Sequence, residues 1–359
     1  MKNFKKVLLQ SKKEIDKEIK TFFDEKTKDE SLSPEMVENI KRLEKFVLNG
    51  GKRFRPVTLL LAYKGCYGTK NILREAISVE LFHNATLVED DFMDEDENRR
   101  GKPTIYKILK DEFLDKFGEK KYKGSLYNRE SSRFAVSNSI LLGNVLYALG
   151  AECLSTSKLD HYKIREALSI YNDAFIKVND GQLLDVELEK IRANEQDYIE
   201  MAEKKTACLV AAAFDIGAVL AGADRKQRNM LHKFAMLTTV AFQIQDDLLD
   251  INPDANKGHE LGSDIKTGKN TLLTIKTLEL GTKKEKRALE KAYGKARISD
   301  DKLNKAIQAM HTSGAVDYCK NLAKKKVKLG KQWLTKAHID KQSEGFFQAL
   351  AEYLINRDI

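Results

Sequence analysis

Proline occurs only four times in 359 residues, and the long stretches between prolines repeat apolar residues at helical spacing. Proline removes a backbone donor and breaks helix interiors, so its scarcity leaves long helices permitted, and the apolar pattern fills them. Ser33, Pro34 and Glu35 read as a helix start: a side-chain cap, a proline in the first turn and an acid facing the dipole. Met36, Val37, Ile40, Leu43 and Val47 then form one apolar stripe. An all-α protein is expected. At 42% hydrophobic the chain can bury one large interior despite exceeding the usual domain length.

Within that helical frame, residues 87–104 read LVEDDFMDEDENRRGKPT. On a helix a residue and its fourth neighbour share a face, so Asp90 and Asp94 are expected to point the same way with Asp91 beside them. Like charges at that spacing cost a few tenths of a kcal/mol per pair. Nothing in the stretch is expected to neutralise them, which calls for a cation from outside. Hard oxygen ligands suit Mg2+, which takes one or two carboxylates together with waters and substrate phosphates. One such cluster alone is matched by a solvated acidic helix end. A second copy changes the balance: residues 242–250 read FQIQDDLLD, with Asp246, Asp247 and Asp250 at the same spacing. Two acidic helix ends predict two jaws on one cavity, holding a polyphosphate through bridging cations while Arg and Lys grip its remaining charge.

Residues 50–56, GGKRFRP, supply such cations. Two glycines break one helix, Pro56 suits the first turn of the next, and Lys52, Arg53 and Arg55 lie where backbone N–H groups also favour anions. Residues 77–88 are expected to form an amphipathic helix leading into the first aspartates, with His83 about two turns below them. The net charge of +9, from 63 Lys and Arg against 54 Asp and Glu, is spread along the chain, which argues for solubility and only weakly for nucleic acid. Cys66, Cys153, Cys208 and Cys319 lack metal or disulfide spacing and read as buried thiols. The lysine-rich N-terminus is not a secretory signal. The longest apolar run, 207–223, contains Asp215 and falls short of a spanning helix. A cytoplasmic protein without a transmembrane segment is expected.

GGKRFRP, His83 with the DDFMD cluster, RRGKPT, the Lys205-Thr206 pair, and FQIQDDLLD followed by GSDIKTGKNT occur together and in order. In this the chain resembles the trans-isoprenyl diphosphate synthase (polyprenyl synthetase) family from about residue 35 to its C-terminus. The resemblance implies a single-domain bundle of helices around a deep apolar cavity over 1–359, with a variable N-terminal helix in 1–30. It implies condensation of isopentenyl diphosphate with an allylic diphosphate by a homodimer. Asp90, Asp91, Asp94, Asp246, Asp247 and Asp250 would hold three Mg2+ ions on the allylic diphosphate, which Arg99 would also contact. Lys52, Arg55, His83 and Arg100 would bind the isopentenyl diphosphate. Lys205, Thr206, Gln243 and Lys269 would be catalytic, with Gln182, Asp185 and Phe242 lining the same cavity.

Three features depart from the family pattern. Glu89 stands where His or Gln is usual. GHELGSD replaces GKPxGSD, leaving Lys257 or His259 to supply the missing charge. Residues 110–133 form a longer, lysine-rich connection, expected as a mobile surface excursion. For product length, Ala85 and Thr86 lie about 6–8 Å below Asp90 and Phe82 about 12 Å below it. The small pair leaves the floor open, Phe82 is the candidate stopper, and a C20 product, geranylgeranyl diphosphate, is favoured over longer chains. Residues 254–271 are expected to form a lid. The charge-dense segments 283–291 and 320–331 read as solvated helices, with anionic lipid as the other partner weighed for them.

Other readings fit less well. A terpene cyclase usually lacks both the second aspartate cluster and the basic clamp. A silent partner subunit usually loses aspartates, and all six are present. A nucleic-acid binder would need basic and aromatic residues interleaved on one patch.

Overall fold

The computed structural model describes residues 2–253, 260–295 and 297–356. Among these the chain is all-α: sixteen α-helices, one π-helical turn and a single two-stranded hairpin. Backbone contacts divide it into two compact units, Met1–Leu61 with Thr69–Leu168, and Ala62–Gly68 with Ser169–Ile359.

The first unit contains α1 (Lys2–Lys26), α2 (Pro34–Leu48), most of α3 (Phe54–Gly65), α4 (Leu73–Met93), the strands β1 (Asn98–Arg99) and β2 (Lys102–Pro103), α5 (Ile105–Phe117), α6 (Glu130–Ser155) and the start of α7 (His161–Leu188). Ser33 caps α2 as its sequence predicts, its hydroxyl accepting from the Met36 N–H at 3.2 Å. The expected amphipathic helix at 77–88 is different: α4 is buried nearly all round, because α1, α2, α5 and α6 all pack on it. Several of its interior polar groups have partners. Arg53 donates to the Glu80 carboxylate at 2.6 Å, Ser157 donates to Glu75, and the Asn84 amide donates to the Glu80 carbonyl at 2.8 Å. The stretch 110–133 is helical at both ends, since α5 runs to Phe117 and α6 starts at Glu130. Only the segment between them is a loop, largely exposed and closed by an isolated bridge from Lys121 to Arg129.

The second unit holds the remainder of α7, α8 (Glu195–Ala202), the π-turn (Glu203–Ala207), α9 (Cys208–Ala221), α10 (Arg225–Asp250), α11 (Ser263–Thr267), α12 (Leu272–Leu280), α13 (Lys283–Glu290), α14 (Asp300–Thr312), α15 (Ala315–Lys336) and α16 (Lys341–Ile355). Helix α10 is its axis, packed on α9, α15 and α16. Gly330 of α15 lets that helix approach closely, since a Cβ there would stand 2.9 Å from the Thr238 methyl of α10. Phe214, Phe234 and Phe347 form one aromatic cluster, with ring centroids 4.6 to 6.1 Å apart. All four cysteines are buried free thiols.

Candidate functional site

In the first unit the candidate residues gather at the C-terminal end of α4. Asp90 is half-buried, Asp91 is buried, and Asp94 is the exposed C-cap. The chain then reverses through β1 and β2, whose two-residue turn is Arg100-Gly101 with φ of 52° and 72°. Positive φ at both positions gives the twist that a tight hairpin requires, and it aims Arg99 back along α4. The Arg99 Nε donates to the Asp91 carboxylate, and its Nη2 lies 3.5 Å from Asp90 Oδ2. The expectation of an acidic patch with no local counter-charge is therefore corrected. The partner is eight residues along the chain and reaches back only because the hairpin turns it.

Burial dominates the Asp91 carboxyl and pushes its pKa up to about 6, with Arg99 opposing and Asp90 and Asp96 reinforcing the rise. Its Oδ2 is buried with no hydrogen-bond partner among the described residues. Glu89 is raised too, by burial, and its side chain packs 3.1 Å from where a Cβ on Gly143 of α6 would stand.

The basic residues lie alongside. Arg100 donates to the Asn49 carbonyl at 3.0 Å and rests on the turn at Gly50 and Gly51, whose φ values are 73° and 82°. A Cβ on Gly51 would come within 3.0 Å of the Arg53 guanidinium and 3.2 Å of that of Arg100, so this glycine lets both cations approach the backbone. His83, half-buried on α4, is held well below its usual pKa, first by burial and then by Arg55, Arg100, Arg99 and Arg53. The structure thus brings His83, Arg55, Arg99 and Arg100 into one electropositive neighbourhood beside Asp90 and Asp91, while Lys52 is exposed near the Phe54 ring. Arg53, expected beside Lys52 and Arg55 among the cations that grip an anion, is instead committed to the interior. It is buried at φ 56° and donates to Asp16 at 2.7 Å, Glu80 at 2.6 Å and the Val47 carbonyl at 2.7 Å, tying α1, α4 and α2 together.

Phe82 is fully buried and meets Tyr147 of α6 edge-on, with centroids 5.8 Å apart. Ala85 is buried, and Thr86 is half-buried with its hydroxyl donating to the His83 carbonyl at 2.8 Å.

In the second unit the candidates join in a hydrogen-bonded chain. Lys205 pairs with Asp185 of α7 at 2.6 Å. Thr206 donates to the Gln243 side-chain amide oxygen at 2.9 Å, and the Gln243 amide nitrogen donates to Asp247 at 3.0 Å. Tyr198 of α8 donates to the other Asp247 oxygen at 2.7 Å. Burial, with Asp264 adding to it, raises the Asp247 carboxyl well above its ordinary range, against the pull of Tyr198 and Gln243. Lys205 and Thr206 belong to the π-turn, against which Gly181 of α7 lies so closely that a Cβ would sit 2.1 Å from the Lys205 nitrogen. Asp250 is buried and organises the next segment. Its carboxylate accepts from the Ser263 hydroxyl at 2.7 Å and the Asp264 N–H at 3.2 Å, and its carbonyl from Gly262 at 2.9 Å. Asp246, Gln182, Phe242 and Lys269 are half-buried, the Lys269 N–H donating to the Asp264 carbonyl at 2.9 Å. Tyr198 carried no signal in the sequence, being a lone tyrosine in an ordinary helical pattern. Lys257, His259 and the first part of the expected lid, 254–259, lie outside the described residues, while its remainder, 260–271, is not all loop but contains the short helix α11.

Among the described residues, no group of three His, Cys, Asp or Glu side chains is arranged to hold a metal ion. Mg2+ does not need one, because waters and phosphates fill most of its shell. The unpartnered Asp91 oxygen beside Asp90 suits an ion that a diphosphate brings with it.

The family model for polyprenyl synthetase matches residues 37–310. The geranylgeranyl pyrophosphate synthase of Geoglobus acetivorans is 33% identical over 92% of this chain and 94% of its own. A geranylfarnesyl diphosphate synthase of Natronomonas pharaonis is 28% identical over 91% and 93%. Among solved structures, geranylgeranyl pyrophosphate synthase from Corynebacterium glutamicum, complexed with isoprenyl diphosphate and magnesium, superposes with TM-score 0.86 at 25% identity, covering 97% of this chain and 99% of that one.

Proposed function

Because the chain belongs to the polyprenyl synthetase family, we propose that it is a Mg2+-dependent prenyltransferase joining isopentenyl diphosphate to an allylic diphosphate to make all-trans geranylgeranyl diphosphate. The observation that carries this reading is geometric: Arg99 lies on Asp90 and Asp91 while Arg100 is seated on the Gly50–Gly51 turn, with His83 lowered in pKa by burial and by these cations. Fixed cations for a diphosphate and carboxylates for its metal ions are the two things the reaction needs together.

Breaking the allylic C–O bond leaves a carbocation and concentrates charge on the departing diphosphate. Asp90, Asp91 and Asp94, and likewise Asp246, Asp247 and Asp250, would hold Mg2+, which when bound would supply Lewis acidity toward that leaving group. Arg99 binds the same group, while Lys52, Arg55, His83 and Arg100 hold the isopentenyl diphosphate so that its double bond faces the cation. A neutral His83 donates to phosphate through one ring N–H. Thr206, Gln243 and Lys205, each fixed by the contacts described, present dipoles and charge without a free nucleophile, which protects the cation. The closing proton goes to the departing diphosphate.

Incubation with labelled isopentenyl diphosphate and C5, C10 or C15 primers, with and without Mg2+, tests the reading. Asp90→Asn and Asp246→Asn are expected to lower turnover by at least about 100-fold in folded protein. Metal-independent turnover, or none with any primer, would refute it. For chain length, the family includes geranylgeranyl and geranylfarnesyl synthases, and the small Ala85 and Thr86 above the buried Phe82 favour C20 here. Phe82→Ala should shift the product toward C25 or longer by chromatography, and unchanged length would release Phe82 from that role.

A homodimer in the cytoplasm is the remaining part of the reading. Helix α6 is the one helix among the described residues long and apolar enough to cross a membrane, and only 39% of its apolar window is buried. Its exposed Phe134, Ile140 and Leu141 suit a second copy. Light scattering at the mass of a monomer would remove that partner.

A further inference from the structure

Lys283, Lys284, Arg287 and Lys291, at and just past α13, face Lys302 and Lys305 of α14 across a surface cleft of about 440 Å3. Ala288 is the only other lining residue. All six cations are exposed. Lys305 pairs with Asp301 at 2.7 Å, and Lys284 acts on Glu285 only through space, but none of the other five makes a salt bridge among the described residues. Some other lysines in this unit do find one: Lys177 with Asp173, the half-buried Lys204 with Asp180 and Glu200, and Lys341 with Glu344. Residues 283–305 carry nine Lys and Arg against four acids, a formal +5 of the chain's +9. The cluster is also rigidly mounted. Thr282 and Glu285 form a capping box that occupies the Glu285 carboxylate, and Leu289, Leu303 and Ala306 anchor the two helices in the interior. The excess positive charge of such a cleft favours an anion from outside.

We propose that this cleft docks the protein on an anionic bilayer, its lysines meeting lipid phosphates. The reaction proposed above motivates the choice, since a polyprenyl diphosphate partitions into lipid through its tail, but the site itself lies outside the residues assigned to that reaction. Clusters of this size are what anionic headgroups recruit. Five lysines to one arginine suit laterally mobile phosphates, which need point charges more than bidentate forks. Nucleic acid is the poorer occupant, because no aromatic side chain lines the cleft for bases to stack on. The second charge-dense segment differs: on α15 Val327 and Gly330 are buried, Lys331 pairs with Glu352, and burial lowers the Lys326 ammonium pKa.

The test is co-sedimentation of the full chain with phosphatidylcholine vesicles, with or without about one third phosphatidylglycerol. It is run in dilute buffer and at roughly 0.5 M salt, where screening shortens the reach of charge to a few ångströms. Binding is expected only to the anionic vesicles and only in dilute buffer. The triple variant Lys284→Gln, Arg287→Gln, Lys302→Gln should partition roughly 100-fold more weakly while melting at the wild-type temperature and turning over soluble substrates normally. Equal binding to neutral vesicles, no binding, or undiminished binding by the triple variant would overturn the proposal. So would release by inorganic diphosphate at matched ionic strength, which would mark a free-phosphate site, or retention of RNA on filters without vesicle binding. Wild-type turnover measured without vesicles decides the prenyltransferase reading separately.

Discussion

At His83 burial and four guanidiniums act in one direction, keeping the imidazole neutral in the folded protein well below its usual range. The unfolded chain takes up a proton near pH 6.5, so below that pH it binds more protons than the native state and folding weakens. Each further pH unit of acidification costs about 1.4 kcal/mol. Asp91 acts oppositely. Its folded carboxyl keeps a proton up to about 6 that the unfolded one, with an ordinary pKa of 3.8, releases, so its contribution falls as pH rises through that window. Urea titrations of wild type and His83→Gln at pH 7.5 and 5.5 separate the two, because Asp91 is common to both. Wild type should lose about 1.4 kcal/mol more than the variant, and parallel losses would mean that His83 titrates freely. The presence of a histidine below the aspartates is legible in the sequence, but its protonation is not. That depends on Arg53 and Arg55 from the next segment back and on Arg99 and Arg100 folded over by the hairpin.

Among elements, the helices were readable from spacing and caps because those signals are local. The π-turn was not, since no residue preference marks Glu203–Ala207; what it accommodates is the close backbone of α7. An alanine in mid-helix normally improves on glycine by up to about 1 kcal/mol. At Gly181 the added Cβ would lie 2.1 Å from the Lys205 nitrogen, so one backbone must move. Gly181→Ala should therefore lower stability by about 1–3 kcal/mol in thermal or urea melts. It should also reduce turnover by displacing Lys205 and Thr206, and a stabilised, fully active variant would refute this packing. The hairpin at 98–103 escaped sequence reading for a related reason: Arg100 adopts a left-handed φ that arginine rarely prefers, imposed here by its seat on Gly50 and Gly51.

On the scale of the whole molecule, the order and spacing of motifs pointed to the family, and the all-α fold followed. The role of α1 did not follow, because its meaning lies in distant partners. Asp16 holds Arg53, Glu18 and Glu25 hold Arg74, and Ile15, Ile19, Phe22 and Phe23 are buried. Removing residues 1–30 would take Asp16 from the buried Arg53, leaving it Glu80 and the Val47 carbonyl, and would strip that apolar surface, a loss on the order of 5 kcal/mol or more. Expression of the truncated chain should give aggregated or low-melting protein, and a truncation as heat-resistant as the full chain would show α1 to be an ornament. Arg99 has a different consequence at this scale. A tethered guanidinium already sits on Asp90 and Asp91, so the helix end carries its own placeholder when divalent ions are withdrawn. EDTA should silence the protein without softening it, leaving the melting curve where it was, whereas Arg99→Gln should make heat resistance sensitive to the chelator.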